Sequence, residues 1–419
     1  MKCPPLITLS TLVLLVACHN KSTTPPVVPT PDPEPQGVQL GDPLPDLTDA
    51  ELAAFERGKV LFSKRFKPSE GLGPLYNATS CASCHSTPVV GGGSDLYRNF
   101  YVAVMEVNPT FQFNLPGLPS PVIPAYGTPN SPVFTLTGER RSLPDTFGGL
   151  QVVKAQRNSI PIFGTGLFEF ISNTTILANA DPEDADRDGI SGRANNDGAG
   201  MGRFGQKAQS NSIEFFTRAP LMNQMGITSN PFRGAAGTIS LAPGMAPQGT
   251  GTPNLPTTDQ DGVPDPEISH DELGDLIAFS RFLAPPEPMP FDDAARRGEN
   301  TFRDIGCAKC HIPELASSRG PVRAYTDLLI HDMGPDLADG ISFGNATPSQ
   351  SSPAHNGFEF RTQPLWGVSH FAPYLHDGRA ATLDEAIRMH AGEALAIQNA
   401  YVALPDRQRE DLLSFLRHL

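Results

Sequence analysis

Cys81-Ala82-Ser83-Cys84-His85 and Cys307-Ala308-Lys309-Cys310-His311 are two copies of one pattern, C-x-x-C-H, in a chain of 419 residues. The pattern is that of covalent haem attachment. Two thiols add across the porphyrin vinyl groups, and the adjoining His is carried to where its imidazole can bind iron. With six Cys and ten His in the whole chain, two such strings do not arise by accident. They predict two covalently bound c-type haems, one on Cys81, Cys84 and His85, the other on Cys307, Cys310 and His311. The remaining cysteines, Cys3 and Cys18, lie at the N-terminus, so the body has none for a structural disulfide.

Lys2 precedes an apolar run from Leu6 to Ala17 whose only polar residues are Ser and Thr. A bilayer-spanning helix needs about 20 apolar residues, and this run is too short; it suits the core of a signal peptide. It ends Leu15-Val16-Ala17-Cys18, which resembles the lipobox of bacterial lipoproteins. The expectation is a signal peptide over residues 1–17, a lipid on Cys18, and a tether over residues 18–46 that is extended by Pro25, Pro26, Pro29, Pro31, Pro33 and Pro35. Since c-type haem is attached outside the cytoplasm, the protein is expected to face the periplasm, anchored through Cys18 at the outer membrane. A net charge of −14 argues against a nucleic-acid partner and is compatible with a basic redox partner protein.

Working outward from the two strings, one plan appears twice. The first half opens with Thr48 as an N-cap and a helix through Leu52, Phe55, Val60 and Phe62. The second opens near Asp292 with Arg297, Gly298 and Phe302. Both contain Arg-Gly, an aromatic at a similar spacing, and then the haem motif, which reads as an amphipathic helix packed across the haem-bearing segment. Downstream, Arg157-Asn158-Ser159-Ile160-Pro161-Ile162-Phe163-Gly164 parallels Arg361-Thr362-Gln363-Pro364-Leu365-Trp366-Gly367, and Gly202-Arg203 parallels Gly378-Arg379. The expected fold is mainly α, with two cytochrome c-like haem domains (47–285 and 286–419) carrying long irregular loops, in keeping with 39 Gly and 43 Pro.

Several further strings carry a family resemblance. They are Gly73-Pro74-Leu75-Tyr76-Asn77, Leu283-Ala284-Pro285-Pro286, Tyr325-Thr326-Asp327, His331-Asp332-Met333-Gly334 and Pro373-Tyr374-Leu375-His376-Asp377-Gly378-Arg379. Together with the haem motifs they resemble the bacterial di-haem cytochrome c peroxidase superfamily, most closely its di-haem "thiol oxidoreductase" branch. The resemblance implies an electron-transferring, six-coordinate C-terminal haem and a reactive N-terminal haem where peroxide or oxygen meets iron. It also implies that the distal ligand of the second haem comes from the helix after His-Asp-Gly, where His390 stands; Met389 and Met333 are the rivals. Beside the first haem the relatives use a Glu as distal acid–base, and this chain has Gln224, whose amide cannot exchange a proton. Glu169 and Glu214 are the substitute carboxylates, and Lys207 a further donor or ligand, with plain solvation as its alternative.

Asp184-Ala185-Asp186-Arg187-Asp188-Gly189 has the D-x-D-x-D-G spacing of calcium loops, with Asp184, Asp186 and Asp188 as candidate calcium ligands. Asn195 stands where an EF-hand would place its Glu, and Asp259-Gln260-Asp261-Gly262 is a weaker version of the same string. Trp366, the sole Trp, is read as an aromatic wall of the second haem or an electron relay, and Arg361, Arg379 and His331 as partners for haem propionates. The reading is an oxidoreductase with an unidentified small-molecule substrate; the alternative is a non-catalytic electron-transfer cytochrome supporting a partner such as an iron-handling system. Cells grown with labelled palmitate should label the wild-type protein and not Cys18→Ala; label retained on the mutant removes the lipid anchor.

Overall fold

Thr48 begins the first helix as the sequence predicts. Its hydroxyl accepts from the Glu51 amide while the Glu51 carboxylate accepts from the Thr48 amide, so two of the helix's orphan donors are satisfied at once. The computed structural model describes residues 39–107, 110–112, 121–128, 145–230, 232–234, 237–239, 261–347 and 357–419. The signal sequence, Cys18, most of the tether and the start of the Asp259 loop lie outside them. Helices are α1 (Asp49–Ser63), α2 (Asn173–Leu177), α3 (Ile213–Met225), α4 (His270–Phe282), α5 (Asp293–Asp304), α6 (Leu383–Arg388), α7 (Leu395–Ala403) and α8 (Asp406–His418). Among the described residues no helix is long and apolar enough to cross a membrane.

The first and last helices of each half cross: α1 packs on α4, and α5 on α8. The crossing point is a glycine in each case. A Cβ on Gly58 would sit 2.0 Å from the Asp275 carbonyl oxygen, and one on Gly298 would sit 1.9 Å from that of Asp411. Backbone therefore touches backbone, which only glycine permits. The preceding arginine locks the same pair. Arg57 donates to both Asp275 oxygens at 2.8 Å, and Arg297 to both Asp411 oxygens at 2.7 and 2.8 Å, the bidentate geometry that makes such pairs specific. Beside each crossing lies a phenyl cluster, Phe55, Phe62 and Phe279 in one half and Phe302, Tyr401 and Phe415 in the other. Full burial of each such ring is worth about 1.5–3 kcal/mol. On α1 Phe55 and Phe62 are buried and Ala54 and Leu61 pack against the same core, while Leu52 and Val60 stay exposed.

The downstream parallel is also physical. Gly164 and Gly367 both take φ near the left-handed region, at 67° and 64°. Each then donates its amide to the carbonyl that follows the last helix of its half, Gly164 to Leu283 at 2.9 Å and Gly367 to Leu419 at 2.7 Å.

The fold is helix-rich, but the expectation of loops alone between the first haem motif and Arg157 needs correction. That insertion carries an antiparallel five-stranded sheet. Phe100–Val107 pairs with Leu150–Arg157, Val102 opposite Ala155 and Val104 opposite Val153. The run Phe100-Tyr101-Val102-Ala103-Val104 is β-branched and aromatic, and both faces of the strand find cover, so alternation is weak in the sequence.

The glycine crossing generates a stability prediction. Gly298→Ala should lose about 2–3 kcal/mol in denaturant unfolding, the overpacking range. Gly274→Ala, on α4 with nothing near its would-be Cβ, should instead gain about 0.5–1 kcal/mol. Equal behaviour of the two variants would mean that the crossing tolerates a methyl group.

Candidate haem sites

Cys307–Lys309 forms a single 3-10 turn that brings Cys307, Cys310 and His311 to one wall of a cavity of about 300 Å³. His390 lines the same cavity, just beyond the C-terminus of α6. The two imidazoles are anchored alike. His311 holds its Nδ1 2.9 Å from the Tyr325 carbonyl oxygen, and His390 its Nδ1 2.7 Å from that of Ala386. A carbonyl only accepts, so Nδ1 carries the proton and Nε2 keeps its lone pair for a metal. Burial pushes both below the ordinary histidine value, His311 to about 4. They are thus neutral at pH 7, as ligation requires.

The first motif repeats this chemistry. His85 holds Nδ1 3.1 Å from the Gly92 carbonyl oxygen, and burial again lowers its pKa. Phe62 lies against His85 at 6.0 Å and Phe302 against His311 at 6.3 Å, ring to ring. Burial pushes the Cys81 and Cys307 thiols up to about 12, so as free thiols they would be inert. Paired cysteines, a neutral imidazole with Nε2 available, and a largely apolar cavity fit a covalently held haem at the second site. The first site has the same paired cysteines and anchored imidazole.

The halves part at the second ligand. Thr382 caps α6 and Ser212 caps α3 with the same side-chain bond to the third helical amide. The eighth residue beyond the cap is His390, past the end of α6, in one case and Pro220, inside α3, in the other, and proline offers no ligand atom. Of the other described histidines, His331 and His376 line the second cavity, while His270, His370 and His418 contact Asp271, Phe371, and Ser414 with Phe291. Gln224 stands half-buried near the end of α3, and its backbone carbonyl accepts from Asn77 and Ala78, just ahead of Cys81. On either side of that junction the Asn77 Nδ2 and the Asn223 Oδ1 are buried without a protein partner.

Both substitute carboxylates are paired in the structure. Glu169 accepts from the first amide of α3 at 2.9 Å and from Arg281 at 2.7 Å. Glu214 accepts from Arg218 one turn along α3, at 2.7 Å. Lys207 is not solvated but fully buried. Of the alternative ligands, Met333 lines the second cavity while Met389 is turned to solvent. The calcium reading also shifts: Asp188 pairs with Lys309 at 2.8 Å, and the oxygens that converge belong to Asp181, Asp184 and Asp186. Backbone amides of the loop already bond to Asp181 and Asp184, as in Asx turns.

A polar layer on the second cavity was only partly foreseen. His331 lies between Asp327, 2.8 Å from Nε2, and Glu393, 2.7 Å from Nδ1. Burial works against charge on His331, but Asp327 and Cys310 together offset it, and its pKa rises well above the usual value. Burial likewise pushes Glu393 up, yet bonds from His331, Ser191 and the Asp332 amide bring it down to about 2. Glu393 sits three residues beyond His390, a spacing that could have marked it. Arg361 is buried, donating to the Gly205 carbonyl, whereas Arg379 pairs with Asp377 near the surface. Trp366 is buried and stacks on Phe168 at 5.6 Å while lining the second cavity. Ser159 and Ile160 line that cavity too and bond to Cys84 and His85, respectively.

Residues 148–419 match the family described as "Di-haem oxidoreductase, putative peroxidase". Two curated relatives are methylamine utilization proteins MauG. The one from Methylophilus methylotrophus is 27% identical over 155 residues, 35% of this chain and 42% of its own length. The one from Methylorubrum extorquens is 28% identical over 162 residues, 34% and 42% of the two chains. This chain thus spans under half the length of the curated relatives it matches. Among solved structures, the hydrazine synthase of Kuenenia stuttgartiensis aligns over 98% of this chain and 100% of its own, at 15% identity and a TM-score of 0.37. A MauG-like protein associated with microbial copper homeostasis aligns over 36% and 52%, at 20% identity and a TM-score of 0.24.

The Glu393 arrangement has a pH signature. A carboxylate depressed from 4.5 to about 2 on folding contributes stability above pH 4.5 and loses it as the pH falls toward 2, about 3 kcal/mol in all. His331, raised on folding, contributes below about pH 6.5 and loses its share only as the pH climbs through its raised value. Unfolding midpoints should therefore drop between about pH 4.5 and 2 in the wild type. Glu393→Gln should already be destabilised at neutral pH and show a shallower acid fall; parallel curves for the two proteins would refute the pairing.

Proposed function

This chain belongs to the di-haem oxidoreductase family, and from that premise we propose that its two haem sites divide the work of one redox enzyme. His311 and His390 saturate the C-terminal haem, which handles electrons. His85 alone ligates the N-terminal haem, whose other face is left for peroxide or dioxygen. The observation that carries this reading is the contrast at equal spacing from two alike helix caps, His390 against Pro220.

When bound, a bis-imidazole haem cycles between ferric and ferrous at low potential, while a haem with one protein ligand can take an exogenous molecule on iron. Everything else falls to the side chains. The Nδ1 anchors hold the three imidazoles neutral and aimed. Glu169 and Glu214 are paired, so neither serves as a proton carrier for the first haem, and Gln224 can orient a ligand but not exchange a proton. Trp366, stacked on Phe168, and the Ser159–Ile160 segment supply a short packed route between the two sites.

EPR of the oxidised protein should give one high-spin and one low-spin haem, and the reduced protein should bind one carbon monoxide. His390→Ala should convert the low-spin signal to high-spin and double carbon monoxide binding. Two low-spin signals in the wild type, with no carbon monoxide bound, would leave a non-catalytic electron carrier.

A further inference from the structure

Lys207 is fully buried, with Nζ donating to the Glu359 carbonyl oxygen at 2.8 Å and lying 3.2 Å from Asp339. The other Asp339 oxygen takes Arg157, and the Glu359 carboxylate takes Arg193 at 2.6 Å. Among the described residues, Lys207 and Arg157 share Asp339, and Arg193 takes Glu359, so five charged groups are buried together. Burying such a cluster carries an effective penalty of several kcal/mol per ion, and apolar replacements are often no less stable. Stability alone does not explain it.

Its position suggests a use. The Lys207 Nζ lies 4.1 Å from the centroid of the Phe360 ring. The His376 ring stacks on Phe360 at 4.2 Å with an angle of 18°. An imidazole at that distance fills its face of the phenyl ring, so the ammonium has the other. Phe360, His376 and Gln206, the neighbour of Lys207, all line the second haem cavity. One ring thickness of low-dielectric material therefore separates a buried amine from the space for the C-terminal haem, and across such a gap Coulomb interactions stay strong.

We propose that Lys207 is the redox-linked proton site of the C-terminal haem. A one-electron donor, a reduced redox protein in the cell, delivers an electron there and lowers the charge of the iron by one. Nζ takes one proton from solvent, –NH2 becoming –NH3+, and returns it when the electron leaves. Protonation thus raises the haem's potential, partly offsetting its bis-imidazole ligation. Burial works against the charge on Lys207 and Asp339 supports it, with a balance at about 7. The groups facing it are Asp339, Arg157 and Glu359, with Arg193 behind and His376 across the phenyl ring. Burial pulls His376 to about 4 despite Asp377 beside it, so it stays neutral. The proposal rests on a haem occupying this cavity.

The test is spectroelectrochemical titration of the low-spin haem in the purified di-haem protein, from about pH 5 to about pH 9. The wild-type midpoint should fall through the region around pH 7 with a slope approaching one proton per electron, and flatten on either side. Lys207→Met should be flat at the alkaline wild-type value, and Lys207→Arg flat at the acid one. A slope retained in Lys207→Met overturns the proposal and moves the proton to His331 or a propionate. Should the variants not fold, controlled-potential reduction of the unbuffered wild type at an electrode, through a viologen mediator that carries no proton, with a pH-indicating dye decides: proton uptake near neutrality that vanishes at acid pH supports Lys207, and no uptake overturns it. A haem assay returning one haem per chain would overturn the occupied cavity itself, whereas two haems with no slope would overturn only Lys207.

Discussion

Both halves of this protein hang on a glycine that lets one helix backbone rest on another's carbonyl. At Gly58 and Gly298 there is no room for a methyl group, and the arginine before each forks onto the aspartate opposite. With the first and last helices fixed so closely, the aromatic cluster between them and the imidazole that leans on it have one available arrangement. The C-x-x-C-H turn follows the first helix of the pair and inherits that position. In the N-terminal half, Gly164 donates to the carbonyl after α4, which ties the downstream segment to the same crossing; Gly367 does so for α8.

On this repeated frame, function diverges through what is buried. Desolvation keeps His85, His311 and His390 neutral; a carbonyl on Nδ1 leaves Nε2 of His311 and His390 available, while His85 bonds to the Gly92 and Ile160 carbonyls. These are local devices, a hydrogen bond and a dry pocket, and they give ordinary histidines the neutral form that metal ligation requires. Around the second cavity both halves contribute buried charge. Asp327, His331 and Glu393 form one paired row on it, and Lys207, Asp339 and Arg157 another one ring removed. Such groups stay buried only because each has a partner, and their fields act on whatever sits in the cavity.

Legibility tracked the range of the interactions involved. The N-cap at Thr48, the Arg-Gly pairs and the paired haem motifs are local patterns, and the duplicated plan could be followed by spacing alone. The five-stranded sheet was missed because strand pairing joins Phe100–Val107 to a run some fifty positions later, and neither run alternates cleanly. Glu169 looked available as a proton carrier because nothing nearby in the sequence announces Arg281 or the α3 amide. Lys207 looked solvated for the same reason: Asp339 and Glu359, its partners, come from the other half of the chain.

What the sequence determined by itself was the pair of haem-attachment patterns: thiols and an imidazole at fixed spacing, twice, since those constraints act within five residues. The tertiary structure alone decided which side chains face the space beyond each motif. It set His390 in a cavity with His311, gave Pro220 the matching place in the other half, and drew a lysine into a dry cluster behind Phe360. The physical reason is that burial and electrostatic partnership are properties of packing between distant segments, and they decide whether a given side chain is a ligand, a charge or a strut.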